Sequence, residues 1–222
     1  MKKIFLIALV FTINGLIAQE REVEDFNKVT AFDQIDVQLI PSKENKVILN
    51  GENSEEVELV NKDGELKIRL PFSKMMKGDN ISATVYYTQL NAVEANEGSR
   101  IVSESTIEST DFDISVKEGS VVNLKLDVAQ LQLKINGGGK VNLSGKAKNQ
   151  DVLLNNGSIY KASGLVTKQT IITANTGAVA YIKATDYVDA KVRAGGEITI
   201  YGKPKKIDKK TVVGGKIYEK DE

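Results

Sequence analysis

The residues that could do chemistry here are carboxylates. The chain has 222 residues and contains no histidine and no cysteine. Imidazole bases, catalytic triads built on histidine, thiolate nucleophiles and histidine or cysteine metal sites are therefore excluded. Catalysis would have to rest on carboxylates, lysine, arginine or tyrosine. The densest acidic run is Glu94, Glu97, Glu104, Glu108, Asp111, Asp113 and Glu118. Paired carboxylates facing one sugar would give a glycoside hydrolase. An acidic calcium cluster beside a proton-abstracting base would give a polysaccharide lyase. The same residues also fit a solvated acidic face. Glu94, Glu97 and Glu118 are the candidates, because their spacing places them near one recurring turn.

The elements that must position these acids repeat along the chain. Between Asn91 and Tyr218 a glycine recurs as Gly98, Gly119, Gly138, Gly157, Gly177, Gly195 and Gly214, at spacings of 21, 19, 19, 20, 18 and 19. A fixed period in this range marks stacked supersecondary units. Three residues before the anchor stand Ala95, Val116, Ile135, Leu154, Ala174 and Val192; three after it stand Ile101, Val122, Val141, Tyr160, Ala180 and Ile198. Positions five before and five after are also mostly apolar, with polar residues between. Period two in both arms predicts strand, glycine turn, strand, with these columns facing inward. Two residues before the anchor, Asn96, Asn136, Asn155 and Asn175 recur. Asparagine tolerates positive φ, and stacked asparagines can form an amide ladder. Residues of one type recurring at one corner predict a parallel β-solenoid, because each coil then pairs with those above and below. An antiparallel barrel or sandwich explains the alternation but not the recurring corner. Glu97 and Glu118 share the column just before the glycine, so they should stack on adjacent coils. Glu94 should face outward by alternation.

Upstream, residues 20–90 alternate less regularly, with turn chemistry at Pro41-Ser42, Asn50 to Asn53 and Lys62 to Gly64. Asp63-Gly64 between alternating runs predicts a two-residue hairpin. Pro71 to Asn80 (PFSKMMKGDN) is neither strand nor short turn. Its Met75 and Met76, flanked by Lys74 and Lys77, offer an adaptable contact surface if they do not fold back over the core edge.

Residues 1–18 read as a secretory signal peptide: Met1-Lys2-Lys3, an apolar run from Ile4, and a small Ala18 before Gln19. Residues 19–222 are then one mature β-solenoid domain with formal charge −2, since the leader removes two lysines from a balanced chain. Export to the periplasm, the cell surface or the medium is expected, with no transmembrane segment in the mature protein. Near-neutral charge argues against nucleic acid as a partner.

The leader, the opening FNKVTAFDQIDVQLI (26–40), GELKIRL (64–70), VYYTQLNAVEANEGS (85–99) and the glycine turns to GGKIY (214–218) together resemble the head GIN domain family, grouped with auto-transporter adhesins. The resemblance covers residues 23–218. It implies an all-β, right-handed parallel β-helix and a cell-envelope or surface role. The sequence therefore points to a non-catalytic module that binds an envelope protein or glycan, without cofactor or metal. A carbohydrate-active β-helix enzyme using the early acids is the alternative. Self-association through the solenoid ends is a third expectation.

Overall fold

The computed structural model describes residues 19–221, so the leader expected over 1–18 lies outside the described residues. The chain is nearly all strand and winds into a β-solenoid of about seven turns. The N-terminal elements are β1 (Gln19–Glu22), β2 (Lys28–Ala31), β3 (Asp36–Pro41), β4 (Lys46–Gly51), β5 (Glu58–Lys62), β6 (Glu65–Arg69), β7 (Ile81–Tyr87) and β8 (Ala92–Ala95). Long strands follow, each running from one glycine turn to the next: β9 (Arg100–Val116), β10 (Val121–Ile135), β11 (Lys140–Leu154), β12 (Ile159–Asn175) and β13 (Val179–Arg193). The last coil is split into β14 (Glu197–Tyr201), β15 (Lys206–Val212) and β16 (Lys216–Glu219).

Every pairing from β9 to β16 is parallel and close to one coil apart, such as Val122 with Val141 and Leu133 with Val152. That ladder excludes the antiparallel barrel and sandwich. The uneven glycine spacing has a simple cause. Two extra residues in β9 and one in β12 are absorbed as bulges, opposite Asn123–Lys125 and Asn142–Ser144, and the short spacing of β13 is met by further register shifts against β12, at Ala162–Val166 and Thr167–Gln169. A bulge takes up an insertion locally and leaves the register on either side intact.

The inward columns are buried as their spacing requires. Val116, Ile135, Leu154 and Val192 are almost fully covered, as are Val122, Val141 and Ile198. In β10 the inward phase runs Val122, Leu124, Leu126 and Val128, then Leu131, Leu133 and Ile135. It slips by one residue at Ala129-Gln130, which lets a continuous strand wrap around the core. In the last coil the inward positions Lys209 and Glu219 are exposed and pair with each other.

The corner turns are tight. Ser99 N donates to Asn96 O at 3.1 Å, and Ser120, Gly139, Ser158 and Ala178 repeat the bond to the residue three back. Positive φ falls on the residue before the anchor and on the anchor itself: Glu97 56° and Gly98 74°, Asn156 53° and Gly157 69°. Two successive positive φ values are the signature of a type I′ turn, here joining successive strands of one coil rather than hairpin partners. The recurring asparagine one place earlier does not take positive φ, as its sequence position had suggested. Its side chain works between coils: Asn175 Nδ2 donates to Asn155 Oδ1 at 2.9 Å, and Asn156 Nδ2 to Asn136 Oδ1 at 2.7 Å. Within the column the ladder is thus a single rung, Asn175 to Asn155; Asn136 is reached from Asn156, one place later, and Asn96 bonds Glu94 instead. The turns also stack through their backbones: Gly98 N donates to Glu118 O and Gly157 N to Thr176 O, both at 3.0 Å.

The N-terminal region joins the same stack out of order. The coil β2–β3 lies between β6–β7 and β8–β9, although it precedes both in sequence. Its corner, Phe32 to Ile35, has the same geometry without a glycine: Asp33 and Gln34 take φ of 60° and 67°, and Gln34 N donates to Glu97 O at 3.0 Å. Antiparallel strands close this end. β5 pairs with β6 through the Asp63-Gly64 turn, β4 with β7, and β1 with β4. No helix among the described residues is long and apolar enough to cross a membrane.

Candidate functional site

The fold sets one of the three candidate glutamates apart from the other two. Glu94 sits in the middle of β8 and faces outward on the sheet. Its carboxylate lies 2.8 Å from Lys28 Nζ and 2.8 Å from Lys117 Nζ. Lys28 reaches on to Glu65 at 2.9 Å, and Glu65 to Lys67 at 3.3 Å. The result is an alternating charge network across four stacked layers, β6, β2, β8 and the end of β9. Burial alone would raise the Glu94 carboxyl, but its hydrogen bonds and charge interactions with Lys117 and Lys28 outweigh this and hold it at about 2. A shallow groove of about 260 Å³ borders it, between Lys28, Asp113, Gln132 and Lys134. Glu94 is thus an ionised carboxylate paired with two lysines.

Glu97 and Glu118 occupy the corner, on adjacent stacked turns. There they meet a third acid that the glycine pattern could not reveal. Asp33 holds the same turn position on the neighbouring coil, so the column reads Asp33, Glu97, Glu118. The Glu97 carboxyl is pushed up from its ordinary range, first by burial and then by the charges of Asp33 and Glu118. Neither Glu97 nor Glu118 has an ion-pair partner among the described residues. Glu104, Glu108, Asp111 and Asp113 are exposed along β9 and do not join this line. Among the described residues, no three acidic side chains converge closely enough to hold a metal ion.

The Pro71–Asn80 loop takes the corner of the next coil, β6–β7, where a tight turn would otherwise stand. Asp33 fastens it. Its Oδ2 accepts from Leu70 N at 2.9 Å, its Oδ1 from Met76 N at 3.0 Å, and its backbone oxygen from Gly78 N at 2.9 Å. Lys74 adds an ion pair to Glu56. Space at the base of the loop is tight: a side chain at Gly78 would put its Cβ 2.4 Å from Asp33 O. Held this way, the short 3₁₀ turn Phe72–Lys74 carries Phe72 into solvent at 89% exposure. Met75 and Met76 are 39% and 45% exposed. The sequence singled out the methionines. The larger and more exposed anchor, Phe72, was missed, although an aromatic directly after a proline in a loop was a usable signal.

The loop and the acid column meet in one cleft of about 400 Å³. Phe32, Leu70, Phe72 and Met75 supply its apolar lining, and Asp33, Glu58, Arg69 and Glu97 its polar lining. Met76 does not line it. The fold thus brings together Met75 and Glu97, two features 22 residues apart in sequence, and excludes Glu94.

Similar folds are known. A structure described as a "putative adhesin" from Bacteroides fragilis superposes with a TM-score of 0.87 at 21% identity, covering 93% of this chain and 98% of that one. Another "putative adhesin", from Parabacteroides merdae, gives 0.71 at 18% identity, with 93% and 97% covered. A "putative lipid binding protein" from Parabacteroides distasonis gives 0.67 at 14% identity, with 93% and 98% covered. At these identities the likeness is one of fold. No curated protein matches the chain. The sequence profile described as "Putative auto-transporter adhesin, head GIN domain" matches residues 25–204, most of the chain, and the protein belongs to that family.

Proposed function

We propose that this protein is an exported, non-catalytic module of the cell envelope or surface that holds a protein or glycan partner in the cleft beside Phe72. The observation that carries this reading is Phe72 itself. An aromatic ring at 89% exposure on a loop fastened at both ends by Asp33 is displayed, not loose. Ordering such a loop in advance lowers the entropy lost on binding, and aromatic anchors dominate interface energetics. The adhesin descriptions of the family and of the similar structures agree with binding at a surface. Against a carbohydrate-active enzyme stands the separation of Glu94 from Glu97 and Glu118.

The test uses the mature chain and Phe72→Ser on a glycan array and against native envelope extract. A glycan or protein retained by the parent and lost by the variant supports the reading. Equal retention by both, or turnover of any polysaccharide by the purified parent, overturns it.

A further inference from the structure

The charge around the cleft narrows the partner. We infer that the cleft takes a protein segment that sets an apolar side chain next to a lysine or arginine. This rests on the reading of the cleft given above and adds the chemistry of its occupant.

The apolar half of the argument is the lining. Phe32 and Leu70 form the inner wall, and Phe72 and Met75 stand over it from the loop. A leucine-sized side chain entering there would cover part of a ring that is now in water. The polar half is the absence of compensating cations at the corner. The one arginine that lines the cleft, Arg69, lies 2.9 Å from Glu58 and is used by it. Lys74 is turned to Glu56, and Lys77 does not line the cleft. That leaves Asp33, Glu97 and Glu118 in a row with no cation within ion-pair distance among the described residues. Asp33 is buried against its backbone donors, Glu97 is half-buried in the cleft wall beside it, and Glu118, on the next turn and outside the cleft lining, is exposed.

The surroundings have the same sign. Residues 19–87, which build the neighbouring coils and the antiparallel cap, contain 14 acidic and nine basic side chains. A field of that sign attracts a cationic segment and repels anionic headgroups and nucleic acid. The occupant favoured is therefore a basic protein segment and not an anionic membrane, even though Phe72 and Met75 could enter a lipid layer.

The probe is a fluorescein-labelled peptide of alternating lysine and leucine, read by fluorescence anisotropy against the intact mature chain. Controls replace its lysines by glutamate or its leucines by serine, and vesicles of phosphatidylglycerol serve as a separate arm. The lysine–leucine peptide should bind, and each control peptide should bind at least about tenfold more weakly. Glu97→Gln with Glu118→Gln should weaken binding about fivefold to tenfold and flatten its salt dependence. Glu118 is exposed and Glu97 half-buried, neither is in an ion pair, and glutamine keeps their size, so folding is preserved; Asp33 is left intact.

The outcomes separate the two claims. Loss of binding in Phe72→Ser with no change in the double glutamine variant keeps the cleft and overturns the cationic partner. No loss in Phe72→Ser overturns both. Equal binding of the glutamate–leucine peptide, Phe72-dependent binding to phosphatidylglycerol vesicles, or Phe72-dependent self-association of the chain in light scattering each overturns the basic segment as occupant.

Discussion

Replacing Tyr160 by phenylalanine removes one oxygen from the middle of the solenoid, and its cost follows from a chain of hydrogen bonds. Tyr160 is fully buried, and burial raises its hydroxyl far above the ordinary range, so it is a neutral donor. It donates to Gln150 Oε1 at 2.8 Å. Gln150 Nε2 donates to Thr170 Oγ1 at 2.9 Å. Thr167 Oγ1 donates to Lys183 O at 3.0 Å, which leaves Thr170 to donate to Thr167 across 2.8 Å. Each hydroxyl proton is used once, and the direction of the chain is fixed from Tyr160 to the Lys183 carbonyl. Tyr160→Phe leaves the Gln150 carbonyl oxygen buried with no donor. An orphaned buried acceptor costs about 1–3 kcal/mol, which for a chain of this size lowers Tm by roughly 3–10 °C. The urea midpoint should fall at constant m-value, since the exposed surface does not change. Gln150→Leu made together with Tyr160→Phe removes both partners, so the pair should cost less than the sum of the single changes. A Tyr160→Phe variant as stable as the parent, or single costs that add in the double variant, would refute the network as a unit.

Three further changes test other parts of the structure. Glu94 is held at about 2 against an ordinary 4.5, so its contribution is fully present above about pH 4.5 and is lost as pH falls toward 2. Glu94→Gln should cost about 2 kcal/mol near neutral pH and almost nothing near pH 2. A gap in urea midpoint that stays constant across that range would be the contrary result. Thr176 holds φ of 49° at the turn position where Asn156 holds 53°, and a β-branched residue is strained there. Thr176→Asn should raise Tm by about 2–4 °C in calorimetry, corresponding to roughly 1 kcal/mol; a lower Tm would deny that strain. Asp33→Ala strips two backbone donors of their acceptor and should cost about 2–4 kcal/mol. It should also speed tryptic cleavage after Lys74 and Lys77; unchanged digestion would mean that the loop is held by something else.

Much of the solenoid was legible because its rules are local and periodic. Inward columns at three and five residues from each glycine depend only on strand alternation, and they are buried from Ala95 through Val192. The hairpin at Asp63-Gly64 needed only turn chemistry. The coil β2–β3 was not legible as a repeat, because Asp33 and Gln34 make its turn without glycine. The buried polar chain from Tyr160 to Thr167 was hidden too. Gln150, Thr167 and Thr170 lie outside the glycine-anchored columns, and only the wrapped strand turns all of them inward.

By itself the sequence determined the architecture, the stacking of Glu97 on Glu118, and the exclusion of histidine and cysteine chemistry. These follow from residue type and from a period that every coil repeats. The tertiary structure decided which features share a site. It placed the second coil in space before the first regular repeat, so that Asp33 stands under Glu97. It fixed Glu94 between two lysines, away from the other two acids. It turned the Pro71–Asn80 loop so that Phe72 and Met75 share a cleft with Asp33 and Glu97. Contacts of this kind depend on the order in which coils stack. Backbone pairing over long sequence separations sets that order, and no local pattern of residues encodes it.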